Sequence, residues 1–254
     1  MNQERRSQVV DLINKKGAVT NAELMQTFGI SIETVRRDMA FLEKRGLIER
    51  VYGGAVKKRF MSVEPTYLSR EKVNANEKDA IAKETEKFIN KNDAVFFDIG
   101  TTVLPVVNYI SAEKEITAFT TSLRTAIALV DKGFKVIIPG GELRQGEFSV
   151  SGSLTEQNMQ NFNVNTAIIG AGGITPDGVT DFLLQEAGIR SQAIKNANKV
   201  IVVADHTKFG IRAVCNVCSA DEIDVLITDN KAPKDTLKAF EKKGVKVIVV
   251  KVKE

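Results

Sequence analysis

The chain of 254 residues has two cysteines, one histidine, and no run of some eighteen apolar residues. Each scarcity excludes something. Two cysteines do not make a disulfide framework in a chain of this size. Cys215-Asn216-Val217-Cys218 has the spacing of a metal knuckle or a dithiol sensor. A tetrahedral zinc site needs four ligands, and His206 is the one obvious third. The plain alternative is two small residues in or beside a strand, and no metal or cofactor is expected. Without a long apolar run, no membrane span or membrane partner is expected. The opening MNQERRSQVV lacks the apolar core of a secretory signal, so the chain is expected to be cytoplasmic. What remains is an ordinary globular composition, 43% hydrophobic and 27% charged. It is enough for one large domain or two unequal ones.

The net charge of +4 is unevenly placed. Residues 1–60 carry twelve Lys/Arg against seven Asp/Glu, a net +5, and the rest carries a net −1. A basic head on a near-neutral body fits a partner such as nucleic acid, although a solvated surface can look the same.

Three helices and a hairpin are legible in the head. Val9, Leu12 and Ile13 fall at helical spacing, and Gly17 ends that helix. Thr20-Asn21-Ala22-Glu23 reads as a capping box opening a second helix that runs to about Phe28. Gly29 supplies a tight turn, and Ser31 is a good N-cap for a third helix from Ile32 to about Lys44. Ile32, Val35, Met39 and Leu42 share its inner face, leaving Glu33, Arg36, Arg37 and Ala40 outside. Two short helices joined by a glycine turn fit a helix-turn-helix. The third helix would then enter the major groove. Arg36 or Arg37 would pair with guanine, and the hydroxyls of Ser31 and Thr34 suit phosphate or base contacts. Gly46 ends this helix. Residues 47–51 and 56 onward read as a hairpin turning at Tyr52-Gly53-Gly54, followed by Lys57, Lys58 and Arg59. That is a basic wing suited to a phosphate backbone. The alternative is a small helical subdomain with a charged face.

Ser31-Ile32-Glu33-Thr34-Val35-Arg36-Arg37-Asp38-Met39, with Leu42-Glu43, Gly46-Leu47, Arg50 and Gly53-Gly54-Ala55, resembles the signature of the DeoR family of bacterial sugar-operon regulators. The resemblance places the helix-turn-helix at about residues 20–39. It implies DNA contacts from Thr20, Ser31, Glu33, Thr34, Arg36, Arg37, Arg50, Gly53, Gly54 and Lys57. The winged head is therefore assigned to 1–57 and a linker, holding Pro65 and scattered charges, to 58–76. Glu64, Tyr67, Arg70, Asn74 and Lys78 also resemble the family's linker.

From residue 77 to 254, apolar runs alternate with amphipathic stretches. Candidate strands are 94–99, 116–119, 134–138, 166–169, 200–204, 225–228 and 245–250. Candidate helices are 103–111, 123–132, 154–161, 185–197 and 234–243. The pattern predicts an α/β open sheet, Rossmann-like, with helices on both faces and ligands beyond the carboxyl ends of the strands. The residues just past those ends are small and polar. They are Asp98-Ile99-Gly100-Thr101-Thr102, Thr120-Thr121-Ser122, Gly140-Gly141-Glu142, Gly170-Ala171-Gly172-Gly173 and Asp205-His206-Thr207-Lys208. Hydroxyls and free amides at a helix start make an anion site, and Pro105 fits the first helical turn. Any one of these motifs is commonly just a turn, but together they suit a small polyol bearing a phosphate.

The resemblance runs through this domain as well. It covers Phe97-Asp98-Ile99-Gly100-Thr101-Thr102, Thr120-Thr121-Ser122, Gly140-Gly141, Gly152, residues 169–174 and Asp205-His206-Thr207-Lys208-Phe209-Gly210. It implies a sensor domain similar in fold to ribose-5-phosphate isomerase, repression of a carbohydrate operon, and release from operator DNA by a phosphorylated sugar or polyol. Effector contacts are expected from Asp98, Gly100, Thr101, Thr102, Thr121, Ser122, Gly141, Gly172, Gly173, Glu186, Asp205 and Lys208. One departure is that Thr121 stands where the family often has Asn, which removes an amide from that contact.

A sugar-phosphate isomerase with an appended DNA-binding head is the main alternative. Lys208, Glu186 and Asp205 supply pieces of acid–base chemistry. However, the loop after the fourth strand, Gly-Ala-Gly-Gly-Ile, has no titratable side chain, so no catalytic residue is assigned. A phosphate-binding module acting on another protein is a further alternative, disfavoured by the basic head. A homo-oligomer, dimer or tetramer, is expected to set two heads on two half-sites.

Overall fold

The computed structural model describes residues 2–44, 47–51, 53–57 and 60–252. The chain divides into two compact units, Met1–Met61 and Ser62–Glu254.

The first unit runs α1 (Asn2–Lys16), β1 (Ala18–Thr20), α2 (Asn21–Phe28), α3 (Ile32–Lys44), β2 (Ile48–Val51) and β3 (Gly54–Lys57). Thr20 starts α2 as read from the sequence. Its Oγ1 accepts from the Glu23 amide at 3.1 Å, and Glu23 Oε2 accepts from the Thr20 amide at 2.8 Å. Gly29 ends the helix at φ 61°, a left-handed conformation that glycine adopts without steric cost. The inner face of α3 joins a core of Val9, Ile13, Val19, Leu24, Val35, Met39, Leu42 and Ile48. The sequence pattern did not indicate β1. It pairs antiparallel with β3, giving the order β1-β3-β2. Gly54 permits this pairing, because a Cβ there would sit 2.1 Å from the Val19 carbonyl oxygen. The wing's second strand begins at Gly54, two residues earlier than expected. Gly46, Tyr52, Lys58 and Arg59 lie outside the described residues.

The second unit is built on a seven-stranded parallel sheet. Its strands are β4 (Ala94–Phe97), β5 (Thr117–Thr120), β6 (Lys135–Ile137), β7 (Val164–Ile169), β8 (Ala197–Val203), β9 (Val225–Asp229) and β10 (Lys246–Val250). Their order is β10-β9-β8-β7-β4-β5-β6. All seven strands expected from apolar runs are present. Two apolar clusters form, one around Phe96, Ile169 and Phe240 and one around Phe97, Ile168 and Ile227. Adjacent residues on β4 and β7 enter different clusters, as side-chain alternation in a doubly covered sheet requires. The strand order reverses between β4 and β7, and the carboxyl ends of these two strands leave a crevice there.

Three features differ from the expectation. The helix expected over 103–111 is confined to Val106–Tyr109, and an irregular turn fills 100–105. Two short antiparallel sets were not foreseen: Glu142–Arg144 with Ser149–Ser151, and Gly173–Thr175 with Gly178–Asp181 and Cys215–Ser219. Residues 62–76, read as linker, group with this second unit and include a helix, Tyr67–Glu71. Among the described residues, no helix is long and apolar enough to cross a membrane.

Candidate functional site

On α3, Ser31 Oγ accepts from the Thr34 amide at 3.4 Å, so the first turn is capped from its own side chain. Glu33, Arg36 and Arg37 are exposed. Arg37 Nη2 lies 3.5 Å from the Thr34 hydroxyl, leaving most of the guanidinium's donors available. The inner face holds an arrangement that periodicity alone did not reveal. Asp38, 2% exposed, accepts from Arg5 Nε at 2.9 Å and Arg6 Nε at 2.6 Å. This fixes α3 against α1, so the outward arginines stand on a rigid support. In the wing, Arg50 is exposed and 3.7 Å from Glu43 Oε2. Gly53 holds φ 82° at the turn, and its carbonyl accepts from the Asn21 amide at 2.8 Å. Lys57 ends β3.

The second candidate site is a solvent-open cleft at the crevice between β4 and β7. Gly100, Thr101 and Thr102 line one side, Gly170, Ala171 and Gly172 the other, and Lys208 reaches in from the end of β8. The turn at 100–105 begins at Gly100, φ 127°. The amides of Thr101, Thr102 and Val103 donate to no other group among the described residues. Lys208 has no carboxylate within 4 Å and no hydrogen-bond acceptor among the described residues. Its burial lowers its pKa against the opposing pull of Asp205. An unpaired ammonium in one cleft with free amides attracts an anion, because an incoming negative charge returns what burial removed.

The other residues singled out from the sequence serve different ends. Asp98 is fully enclosed. Its Oδ1 accepts from the Ile99 amide at 2.7 Å, and its Oδ2 from the Gly170 amide at 2.9 Å and Arg190 Nε at 2.6 Å. It ties the two walls of the cleft together rather than facing into it. Asp205 accepts from the Thr207 amide at 3.0 Å and from Asn74 Nδ2 at 3.1 Å. Ser122 caps the helix Leu123–Asp131, and the Thr121 carbonyl accepts from the Val150 amide. Gly141 and Gly173 are packing positions, since a Cβ would meet Thr155 Oγ1 at 2.0 Å and the Ile211 carbonyl oxygen at 2.3 Å. None of these residues lines the cleft, nor does Glu186.

The apolar Ile99 and Val103 and the charged Glu64, Arg70, Asp181 and Arg190 complete the lining, and none of these six was expected to contact an effector. Arg190 pairs with Asp98 and Asp181. Arg70 lies 2.5 Å from Glu147 Oε2 and 3.1 Å from Glu64 Oε1. Glu64 also accepts from Arg144 Nη2 at 2.8 Å, and Arg144 Nη1 donates to Glu186 Oε1 at 2.7 Å. A chain of alternating charge thus joins residues 64–70 to the hairpin 142–151. Glu64 and Arg70 stand in the linker motif, where a scattering of charges carried no signal of a shared cleft. Burial pushes the Glu186 carboxyl up to about 7, outweighing the opposing hydrogen bond and charge of Arg144.

Cys215 and Cys218 are free and pack against the larger apolar cluster. Burial pushes the Cys218 thiol up to about 12, which disfavours the thiolate that a metal requires. Among the described residues, no three His, Cys, Asp or Glu side chains form a metal-binding group.

Residues 5–59 match the DeoR-like helix-turn-helix domain, and residues 73–230 match the DeoR C terminal sensor domain. The chain belongs to the DeoR family. As a DeoR-family protein it is a DNA-binding transcriptional regulator, and the isomerase alternative is not favoured. Its DeoR-family relatives include the HTH-type transcriptional regulator GolR of Listeria innocua serovar 6a. That protein is 32% identical over 246 residues, covering 96% of this chain and 97% of the relative. The glycerol-3-phosphate regulon repressor of Shigella flexneri is 32% identical over 232 residues, covering 91% and 92%. Among solved structures, ribose 5 phosphate isomerase A from Neisseria gonorrhoeae is a distant likeness, with TM-score 0.38 and 15% identity over 52% of each chain.

Proposed function

We propose that this DeoR-family protein represses a carbohydrate- or polyol-utilisation operon and leaves its operator when a phosphorylated sugar or polyol enters the cleft at Gly100 to Thr102. The observation that carries the reading is that the unpaired Lys208 ammonium and the free amides of Thr101 and Thr102 line one cleft. A phosphate offers several acceptor oxygens, and this corner offers donors with nothing else to bind. A relative whose name is that of a glycerol-3-phosphate regulon repressor supports the same ligand class. Asp181 offers an acceptor for a ligand hydroxyl.

The division of labour follows the charge. Residues 1–57 read DNA, through Arg36 and Arg37 at base edges, with Thr20, Ser31, Glu33, Thr34, Arg50, Gly53, Gly54 and Lys57 at or near the duplex. Residues 77–254 sense the ligand together with Glu64 and Arg70, which stand in the connecting segment 58–76. A homo-oligomer presents two heads to two half-sites. The ligand shifts the equilibrium between DNA-bound and released arrangements by its difference in affinity for the two.

The test is a mobility-shift titration of the protein on its own promoter against phosphates of fructose, tagatose, deoxyribose and glycerol. At least one should release the protein, while its unphosphorylated parent should not. Tight, salt-sensitive operator binding that no phosphorylated compound weakens overturns the effector class.

A further inference from the structure

Two carboxylates line the cleft, and they differ in how they are held. Asp181 is buried and paired with Arg190. Glu64 sits between two arginines, with Oε1 on Arg70 and Oε2 on Arg144. Each arginine has a second carboxylate of its own: Glu147 for Arg70 and Glu186 for Arg144. Glu64 can therefore leave without stripping either cation of its last partner, and of the three carboxylates it alone lines the cleft. It has water to go to, because Ser62 is exposed and Val63 is 74% exposed. Glu147 and Glu186, each 5% exposed at the side chain, are held in place.

An anion drawn to Lys208 and the Gly100–Thr102 turn enters a cleft that also contains the Glu64 carboxylate and the Arg70 guanidinium. Like charges within one cleft repel, and the guanidinium cannot serve both at full strength. We propose that Glu64 is a built-in competitor for the effector: it occupies Arg70 until an anionic ligand takes its place, and its expulsion loosens residues 62–71. This rests on the cleft being the effector site and adds how occupancy is reported. The segment it loosens follows directly in the chain from Met61, where the DNA-binding unit ends. It is otherwise held by Tyr67, whose ring stacks under the Arg124 guanidinium at 4.3 Å, with Phe148 of the hairpin 4.7 Å from the same group. Loss of the Glu64 pairs leaves that stack, the Arg70–Glu147 pair and the hydrogen bond from Lys78 Nζ to the Arg70 carbonyl as the remaining clamp.

The experiment uses the full chain and inorganic phosphate as probe. Phosphate affinity is measured by calorimetry for the wild type and for Glu64→Gln, Glu147→Gln and Lys208→Met. Backbone hydrogen exchange over 62–71 is followed with and without saturating phosphate. Glu64→Gln should bind phosphate about fivefold more tightly, the size of one screened like-charge contact. Glu147→Gln, which removes a carboxylate outside the cleft, should not tighten binding. In the wild type, phosphate should raise exchange in 62–71 several-fold. In Glu64→Gln, exchange there should already be high without phosphate. Should the wild type bind phosphate through Lys208 yet show unchanged exchange in 62–71, the competitor idea fails while the cleft reading stands. Unchanged or weaker affinity in folded Glu64→Gln has the same consequence. Phosphate binding that is absent, or indifferent to Lys208→Met, overturns the cleft reading and this inference with it.

Discussion

Arg190 Nε donates to Asp98 Oδ2 at 2.6 Å, an ion pair with less than a tenth of either side chain exposed. Through it the helix Leu184–Lys195 grips the end of β4, and the same carboxylate oxygen holds the Gly170 amide at the end of β7. Burial pushes Asp98 above the ordinary carboxylate range even with Arg190 beside it, so its charge depends on the pair. Arg190→Met should cost about 3–5 kcal/mol, because it leaves two buried carboxylates, Asp98 and Asp181, unmatched. The double change Asp98→Asn with Arg190→Met should recover part of that loss. Urea unfolding followed by circular dichroism reads both. A single-variant cost under about 1 kcal/mol rules out the pair as the tie between the cleft walls.

Glu186 makes a pH-dependent contribution. Its folded pKa is about 7 against an ordinary 4.5, so the fold favours the protonated form. That contribution is complete below about pH 4.5 and is lost as the pH rises toward 7. Glu186→Gln has no such proton to lose. Relative to the variant, the wild type should lose stability on the order of 3 kcal/mol between pH 4.5 and 7, and change little above it. Parallel unfolding curves at several pH values measure the difference. A constant gap between the two proteins across that window means the carboxyl titrates normally.

Arg36→Ala and Arg37→Ala should each weaken operator binding by about 1–3 kcal/mol where the side chain reads guanine, with the loss concentrated at one base position. Arg50→Ala should act on all sequences alike and reduce the slope of affinity against salt by about one. Binding titrations at three salt concentrations separate the two patterns. Operator affinity unchanged in both helix variants removes α3 as the reading element.

Lys208→Ala and Thr101→Ala should leave operator affinity within about twofold of wild type. Both should raise the effector concentration needed for release, by about tenfold or more for Lys208, as expected for a charged hydrogen bond. Release at the wild-type concentration in both variants moves the effector site away from Gly100 to Thr102.

Much of the fold was legible because its signals are local. The Thr20–Glu23 capping box, the left-handed Gly29 and the Val35, Met39 and Leu42 stripe of α3 are each set within a few residues, whereas Ile32, expected on the same face, stays outside the core cluster. The parallel strands appeared as continuous apolar runs because both faces of the sheet are covered. The strand β1 was not legible. Three residues between two helices carry little pattern, and the pairing depends on a glycine more than thirty positions away, at Gly54.

The sequence alone determined two units of different charge, a helix-turn-helix with outward arginines, and a set of small polar loops at one sheet edge. These follow from spacing, capping and composition, which act over short stretches of chain. The tertiary structure alone decided which of those loops meet. It turned Asp98, Asp205 and Ser122 inward onto amides and left Lys208 unpaired. It also brought Glu64 and Arg70 to the cleft from a segment that read as linker. The reason is that a carboxylate's role depends on the donors around it, and here those donors come from strands and helices tens of residues away in the chain.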